Sequence, residues 1–140
     1  MSNIAVPTGT GIRRLVNGLY VVSRVHTVAA NLSQNDTMDL PALPEDARVY
    51  DIGISCSAAV SSGTVNIGTT GTAAFFGASI AMATANLVGK ANLRLGFLLD
   101  AGTVIRFVFN SAAAPAATDV LTAYALLSVD EALIDSEAAA

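Results

Sequence analysis

Charge is what this sequence has least of. Only 13% of its 140 residues are charged, about half the roughly one-quarter share of an ordinary soluble domain, and from Ile52 to Gly89 there is no charged residue. Ala, Ser, Thr, Gly and Asn must cover the surface instead. A neutral, partly apolar surface on a small domain is expected to meet copies of itself or a larger partner. Lysine occurs once among seven basic residues, and the net charge is −4. With no basic stripe to hold a phosphate backbone, no nucleic-acid partner is expected.

Cysteine and histidine occur once each, as Cys56 and His26. One thiol makes no intramolecular disulfide, and the pair offers no metal-ligand set, so neither a metal nor a cofactor is expected. Tryptophan is absent and tyrosine is limited to Tyr20, Tyr50 and Tyr124, too few for the aromatic platform of a carbohydrate-binding jelly roll. Long apolar runs are missing as well. Ser55, Ser57, Ser61, Gly63, Asn66 and Gly68 interrupt the uncharged stretch before about 20 apolar residues can accumulate, which argues against a membrane span. The opening "MSNIAVPTG" lacks the basic and apolar regions of a secretory signal, so the chain is expected to be made and used in the cytoplasm or in an assembly built there.

What remains is a 53% hydrophobic chain of a length that suits one domain with one core. Its periodicity is that of strands. "LYVVSRVHTV" (19–28) sets Val22, Arg24, His26 and Val28 against Val21, Ser23, Val25 and Thr27, with neither face wholly polar. "RVYDIGISCSA" (48–58) sets Tyr50, Ile52, Ile54, Cys56 and Ala58 toward a core, against a small-residue face of Val49, Asp51, Gly53, Ser55 and Ser57 that another surface could approach closely. "VLTAYALLSV" (120–129) sets Leu121, Ala123, Ala125 and Leu127 against Thr122, Tyr124, Leu126 and Ser128. Leu93 to Asn110 reads as a hairpin turning at "DAG". "TMDLPAL" reads as a short piece confined to a sheet edge by Pro41, and "AAFFGASIAM" as β structure or loop.

Seven or eight short strands, punctuated by Gly, Pro, Asn and Asp turns and with no long amphipathic helix between them, predict an all-β fold. The expected form is a single-domain antiparallel β-sandwich of jelly-roll or Greek-key type. Residues 1–18, with Pro7, Gly9 and Gly11, read as an extended N-terminal arm of the kind a partner orders. Residues 19–129 form the sandwich, and residues 130–140 an acidic tail that is either a short helical end or frayed.

The nearest approach to a nucleotide motif is "NIGTTGTAAFF" (66–76). A phosphate loop needs Gly-Lys-Ser/Thr leading into a helix, or G-x-G-x-x-G between strand and helix. Gly68 and Gly71 are followed by Thr72 and alanines, so the stretch reads as a glycine corner between strands. His26 has no nucleophile elbow to serve and reads as a surface or interface histidine. Cys56 alternates with core residues and reads as a buried, inert thiol. Neither Asp36 and Asp39 nor Glu45 and Asp46 form a calcium loop, and these acids read as turn formers. No catalytic residues are expected. Arg13 and Arg14, the only adjacent basic pair, follow the arm. They read as a solvated step into the first strand or, with Ile4, Pro7 and Ile12, as the expected partner-binding residues, anchoring an acidic partner surface.

The order of features adds to this. "HTVAANLSQNDTMDLPALPEDARVYDIGISCSAAVSSGTVNIGTTG", then "FF" and "DAGTVIRFVFN", resembles small all-β capsid decoration or cement proteins of tailed bacteriophages, over about residues 25–129. The resemblance implies a non-enzymatic virion protein, often trimeric, that sits on the outer capsid surface and ties subunits of the major capsid protein together, with the arm as a tether. Head–tail adaptors, tail components and head fibres share the same style. On this reading, deleting residues 2–14 leaves folding intact and abolishes particle binding.

Overall fold

The alternation of Leu121, Ala123, Ala125 and Leu127 with Thr122, Tyr124, Leu126 and Ser128 has the outcome its period dictates: the first four side chains are buried, and none of the second four is. They lie on a nine-residue strand at the middle of one sheet. A computed structural model of the chain describes residues 3–4, 12–14, 19–43, 47–91, 97–98 and 102–128. Among them are β1 (Asn3–Ile4), β2 (Ile12–Arg14), β3 (Leu19–Thr27), β4 (Thr37–Asp39), β5 (Arg48–Cys56) and β6 (Thr64–Thr69). β7 (Gly77–Ala81), β8 (Gly89–Lys90), β9 (Phe97–Leu98), β10 (Ile105–Phe109) and β11 (Val120–Ser128) follow. No helix occurs among the described residues.

The strands form two sheets, one ordered β1-β4-β10-β6-β7 (sheet A) and the other β2-β3-β11-β5-β8, with β9 also paired to β5 (sheet B). All pairings are antiparallel except β1 with β4. The chain is an all-β, single-domain sandwich, as its periodicity predicts. Sheet A brings Met38, Val65, Ile67, Ile105, Phe107 and Phe109 to the core. Sheet B brings Val22, Ile52, Ile54, Leu121, Ala123, Ala125 and Leu127. Phenylalanine and methionine from sheet A meet isoleucine, leucine and alanine from sheet B, and together they fill the interior at the density folded proteins require.

Three expectations are corrected. Leu93 to Asn110 is not a hairpin: Phe97–Leu98 pairs with Arg48 and Val49 in sheet B, whereas Ile105–Phe109 pairs with β4 and β6 in sheet A. The chain crosses between the layers there. Gly102, at φ 75°, donates its N–H to the Leu43 carbonyl, and the Leu43 N–H returns to Thr103, at 3.1 and 2.9 Å. These bonds pin the crossing to the end of β4. An alternating apolar face is equally served by a neighbouring strand or by one in the facing layer, so the period alone does not choose. β4 is also not an edge, because β10 flanks it on one side and Asn3–Ile4 on the other; Pro41 lies beyond the strand.

The third correction is local. Opposite Leu126 and Leu127 stand Asp51 and Val49, so Tyr50 is an extra residue in a β-bulge. The bulge reverses the facing of β5 on its N-terminal side. Val49 becomes fully buried, while Tyr50 is only half-buried and shares a 3.0 Å hydrogen bond between its hydroxyl and that of Ser128. Beyond the bulge, Ile52, Ile54 and Cys56 face the core as the sequence predicts.

Candidate functional site

The small-residue corner of "NIGTTGTAAFF" resolves into a tight β6–β7 connection. Thr69 and Thr72 exchange bonds, N–H to carbonyl at 3.0 Å and Thr72 N–H to Thr69 Oγ1 at 3.1 Å, and Phe76 N–H returns to the Ile67 carbonyl at 2.9 Å. A Cβ on Gly68 would stand 2.2 Å from the Thr72 carbonyl oxygen, so only glycine lets the returning loop lie on the strand. The stretch is a corner with no helix after it.

That corner borders the outer face of sheet A, which is polar and cross-linked. Asn66 Oδ1 accepts the Ser79 N–H at 2.9 Å and the Asn110 side-chain amide at 2.8 Å, the Thr64 hydroxyl donates to Asn110 Oδ1, and Gln34 donates to the Asn110 carbonyl at 3.3 Å. Beside this network lies a groove of about 490 Å³, lined in part by Thr37, Thr69, Thr70, Ala73, Arg106 and Val108.

Arg106 is anchored at the groove by a two-pronged bond to Asp39, its cross-strand neighbour, with Nε to Oδ1 at 2.7 Å and Nη2 to Oδ2 at 2.9 Å. The hydrogen bond to Asp39 raises the Arg106 pKa further above its ordinary value. From the opposite sheet, Arg24 points inward, is only 2% exposed, and donates from Nη1 to the Asp39 backbone carbonyl at 3.0 Å. Burial lowers its pKa, partly offset by the Asp39 charge. One aspartate thus holds a cation on each side of β4. Sequence parity put Arg24 on the Val22 and Val28 face, but nothing in the sequence singled out Asp39, read as a turn former, as its partner. Asp36 does behave as a turn former, its carboxylate accepting the Ser33 N–H at 2.8 Å.

The outer face of sheet B is different in kind. Register places Val21, Ser23, Val25 and Thr27 of β3 beside Leu126, Tyr124, Thr122 and Val120 of β11, and these beside Asp51, Gly53 and Ser55 of β5. The Tyr124 hydroxyl donates to Asp51 Oδ2 at 2.8 Å, and Lys90 Nζ approaches the same oxygen at 3.5 Å. Burial first, then the bond to Asp51, pushes the Tyr124 pKa up to about 12. The close approach expected over the small side of β5 is made by the chain itself: a Cβ on Gly53 would lie 2.6 Å from Val88 Cγ1 and 2.8 Å from the Tyr124 ring.

Of the expected partner-binding residues, Ile4 lies in β1, paired in register with Met38, and Ile12, Arg13 and Arg14 lie in β2, paired with Val22, Val21 and Tyr20. Pro7 lies outside the described residues, as do Glu45, Asp46 and the tail 130–140. The arm therefore contributes a strand to the same margin of each sheet. His26 is half-buried near the end of β3, and its pKa is lowered by burial and then by the Arg24 charge. Cys56 is buried and its thiol pKa is raised by that burial, which suits an inert core thiol. Among the described residues, no three His, Cys, Asp or Glu side chains gather to hold a metal ion, and no helix is long and apolar enough to cross a membrane.

Fold and faces together define a two-layer β-sandwich with one polar face cross-linked by side-chain hydrogen bonds and one mixed face of valines, hydroxyls and the Asp51–Lys90 pair. No family model matches the chain, and no curated protein matches it. Solved structures do. A chain of the cyanophage Pam1 capsid asymmetric unit superposes with a TM-score of 0.65 at 18% identity, over 91% of this chain and 93% of that one. A chain of the capsid of Ralstonia phage GP4 superposes with a TM-score of 0.60 at 14% identity, over 93% of this chain and 91% of that one. At such identities the likeness is one of fold, and it extends through nearly the whole of each chain.

Proposed function

We propose that this chain is a non-enzymatic structural protein of a phage virion, bound to the outer surface of the capsid, where it stabilises contacts between subunits of the major capsid protein. The observation that carries this reading is the superposition on chains of nearly equal length, both parts of phage capsids. Three features of this chain support it. The sequence holds no paired catalytic groups. In the sheets, β3-β11-β5-β8 faces β4-β10-β6-β7, with β3, β4, β5 and β6 alternating between layers, an order that supports reading the sandwich as a jelly roll. The surface is poor in charge, as suits broad contacts repeated in many copies, where avidity multiplies weak affinities. A trimer is the favoured assembly, with Arg13 and Arg14 as the first anchoring contacts to the shell.

Co-sedimentation with emptied capsids of the phage that encodes the chain tests the reading. Saturable binding to capsids and none to purified necks or tails is the expected result. Binding to necks or tails alone would replace it with the adaptor or tail reading. Because residues 3–4 and 12–14 also pair with β4 and β3, deleting the arm removes strands from both sheets. The double variant R13E/R14E is the cleaner probe of the tether: it should keep the fold and weaken capsid binding at least tenfold.

A further inference from the structure

The groove on the outer face of sheet A has no part in the reading above, yet its chemistry is selective. Its volume of about 490 Å³ falls among those of ligand sites, roughly 300–1,000 Å³. Register fixes its floor: Val108 stands between Thr37 of β4 and Asn66 of β6, and Arg106 between Asp39 and Gly68. Gln34 and Asn35 form one wall, and Thr69, Thr70 and Ala73 the other. Both walls are set before anything arrives. Asn35, in the left-handed region at φ 72°, donates its N–H to the Phe109 carbonyl at 2.7 Å, and Gln34 is held on the Asn110 carbonyl at 3.3 Å. The other wall is fixed by the close approach of the Thr72 and Ala73 main chain to Gly68. Walls ordered in advance lower the cost of binding.

The hydrogen-bonding capacity left in the groove is mixed and uncharged. Among the described residues the Asn35 amide and the Thr70 hydroxyl bond to no protein group. Gln34 engages only its Nε2, and the fork to Asp39 occupies Nε and Nη2 of Arg106 but not Nη1. Donors and acceptors therefore stand side by side. Arg106 is the one charged residue among the described lining residues, and Asp39 already matches it. An anion would add negative charge beside the Asp39 carboxylate, and a cation would find that carboxylate taken, so neither is selected. A saccharide would find no ring to stack against, because no aromatic side chain is among the described lining residues. A peptide main chain carries the complement, one N–H donor and one carbonyl acceptor at each residue, and a small aliphatic side chain suits Val108 and Ala73. Crossing from β4 over β10 to β6 covers two strand spacings of about 4.8 Å each, a distance that about three extended residues span. We propose that this groove binds a short, extended, uncharged peptide segment, and that on the capsid the segment belongs to the major capsid protein. The second clause rests on the virion reading above; the first stands on the groove itself.

Overlapping synthetic peptides covering the major capsid protein of the same phage, capped at both ends to remove terminal charge, are titrated into the nitrogen-15-labelled full chain and followed by nuclear magnetic resonance. Maltotriose serves as the neutral saccharide probe. At least one peptide without charged side chains should shift the amide signals of Thr70, Arg106 and Val108. T70W and A73K, both at exposed positions, should each weaken that peptide at least tenfold while the rest of the spectrum stays unchanged. V25K, on exposed sheet B surface, should not weaken it. The proposal is overturned if no peptide shifts those amides, if the peptides that bind do so on sheet B, if only charged peptides bind, or if maltotriose shifts the same signals. Capsid co-sedimentation is read separately. Capsid binding that T70W and A73K leave unchanged removes this inference and lets the virion role stand. A peptide seated in the groove of a chain that binds no capsids does the reverse.

Discussion

Arg24 and Asp39 sit in different sheets, yet the guanidinium of the first reaches the main-chain carbonyl of the second at 3.0 Å while the carboxylate of Asp39 grips Arg106 on the other side of the strand. The aspartate is the shared member, so the two arginines are not equivalent to it. D39A removes the anion from both cations and should cost about 2–4 kcal/mol. R24M keeps the length of an apolar stem, leaves the Asp39–Arg106 fork intact and removes a buried cation together with its bond to the Asp39 carbonyl, so it should cost less than D39A, within about 1–2 kcal/mol of wild type. Urea denaturation of the two variants checks the contrast, and equal losses would contradict it.

Gly68 and Gly71 look interchangeable in the sequence and are opposite in the structure. A Cβ at Gly68 strikes the backbone of Thr72 and Ala73, whereas one at Gly71 meets nothing within 4 Å. G68A should destabilise by about 2–3 kcal/mol, since the obstacle is main chain and cannot rotate away. G71A should change stability by less than about 0.5 kcal/mol. Thermal midpoints of the pair decide whether the corner is held by close packing or only by local flexibility.

Tyr124 ties stability to alkaline pH. Its folded pKa of about 12 lies above the ordinary 10, so below pH 10 the phenol is protonated in folded and unfolded chains alike and its contribution is complete. Above pH 10 the unfolded phenol ionises first, and stability falls as pH rises toward 12. In a near-ultraviolet titration of the native protein one tyrosine should ionise only near pH 12, and Y124F should abolish that late step. A titration in which Y124F leaves the late step in place, or in which no late step occurs, would show that the phenol is not held buried against Asp51 in solution.

Much of the architecture was legible because each long strand carries a two-residue period that burial enforces. β11 could be read residue by residue, whereas the period of β3 gave two faces without choosing between them, and burial selects the one with Val22, Arg24 and Val28. The unreadable parts are those in which one residue's fate is decided by a distant one. The bulge at Tyr50 exists only relative to Leu126 and Leu127, some 75 positions away, and it exchanges the facing of Val49 and Tyr50. The pairing of Phe97 with Val49, rather than with the strand just after it, is likewise a choice made by β5. As for the faces, the scarcity of charge pointed to a contact surface. The small side of β5, however, is covered by the chain's own Val88, so the exposed apolar surface lies on β3 and beside β8.

The strand order also bears on how the chain is born. β10 lies between β4 and β6, and β11 between β3 and β5, so the central strand of each sheet is among the last parts of the described chain to leave the ribosome. At roughly 5–20 residues per second, β3 and β5 wait for several seconds as neighbours of a strand not yet made, with their backbone edges unpaired and their apolar faces bare in the cell. A nascent chain halted before Val120 has no way to complete sheet B. Its long-range pairings make folding a single late event, and the scarcity of lysine and acid along the middle of the sequence leaves few charges to keep that waiting chain from sticking to its siblings on the same message.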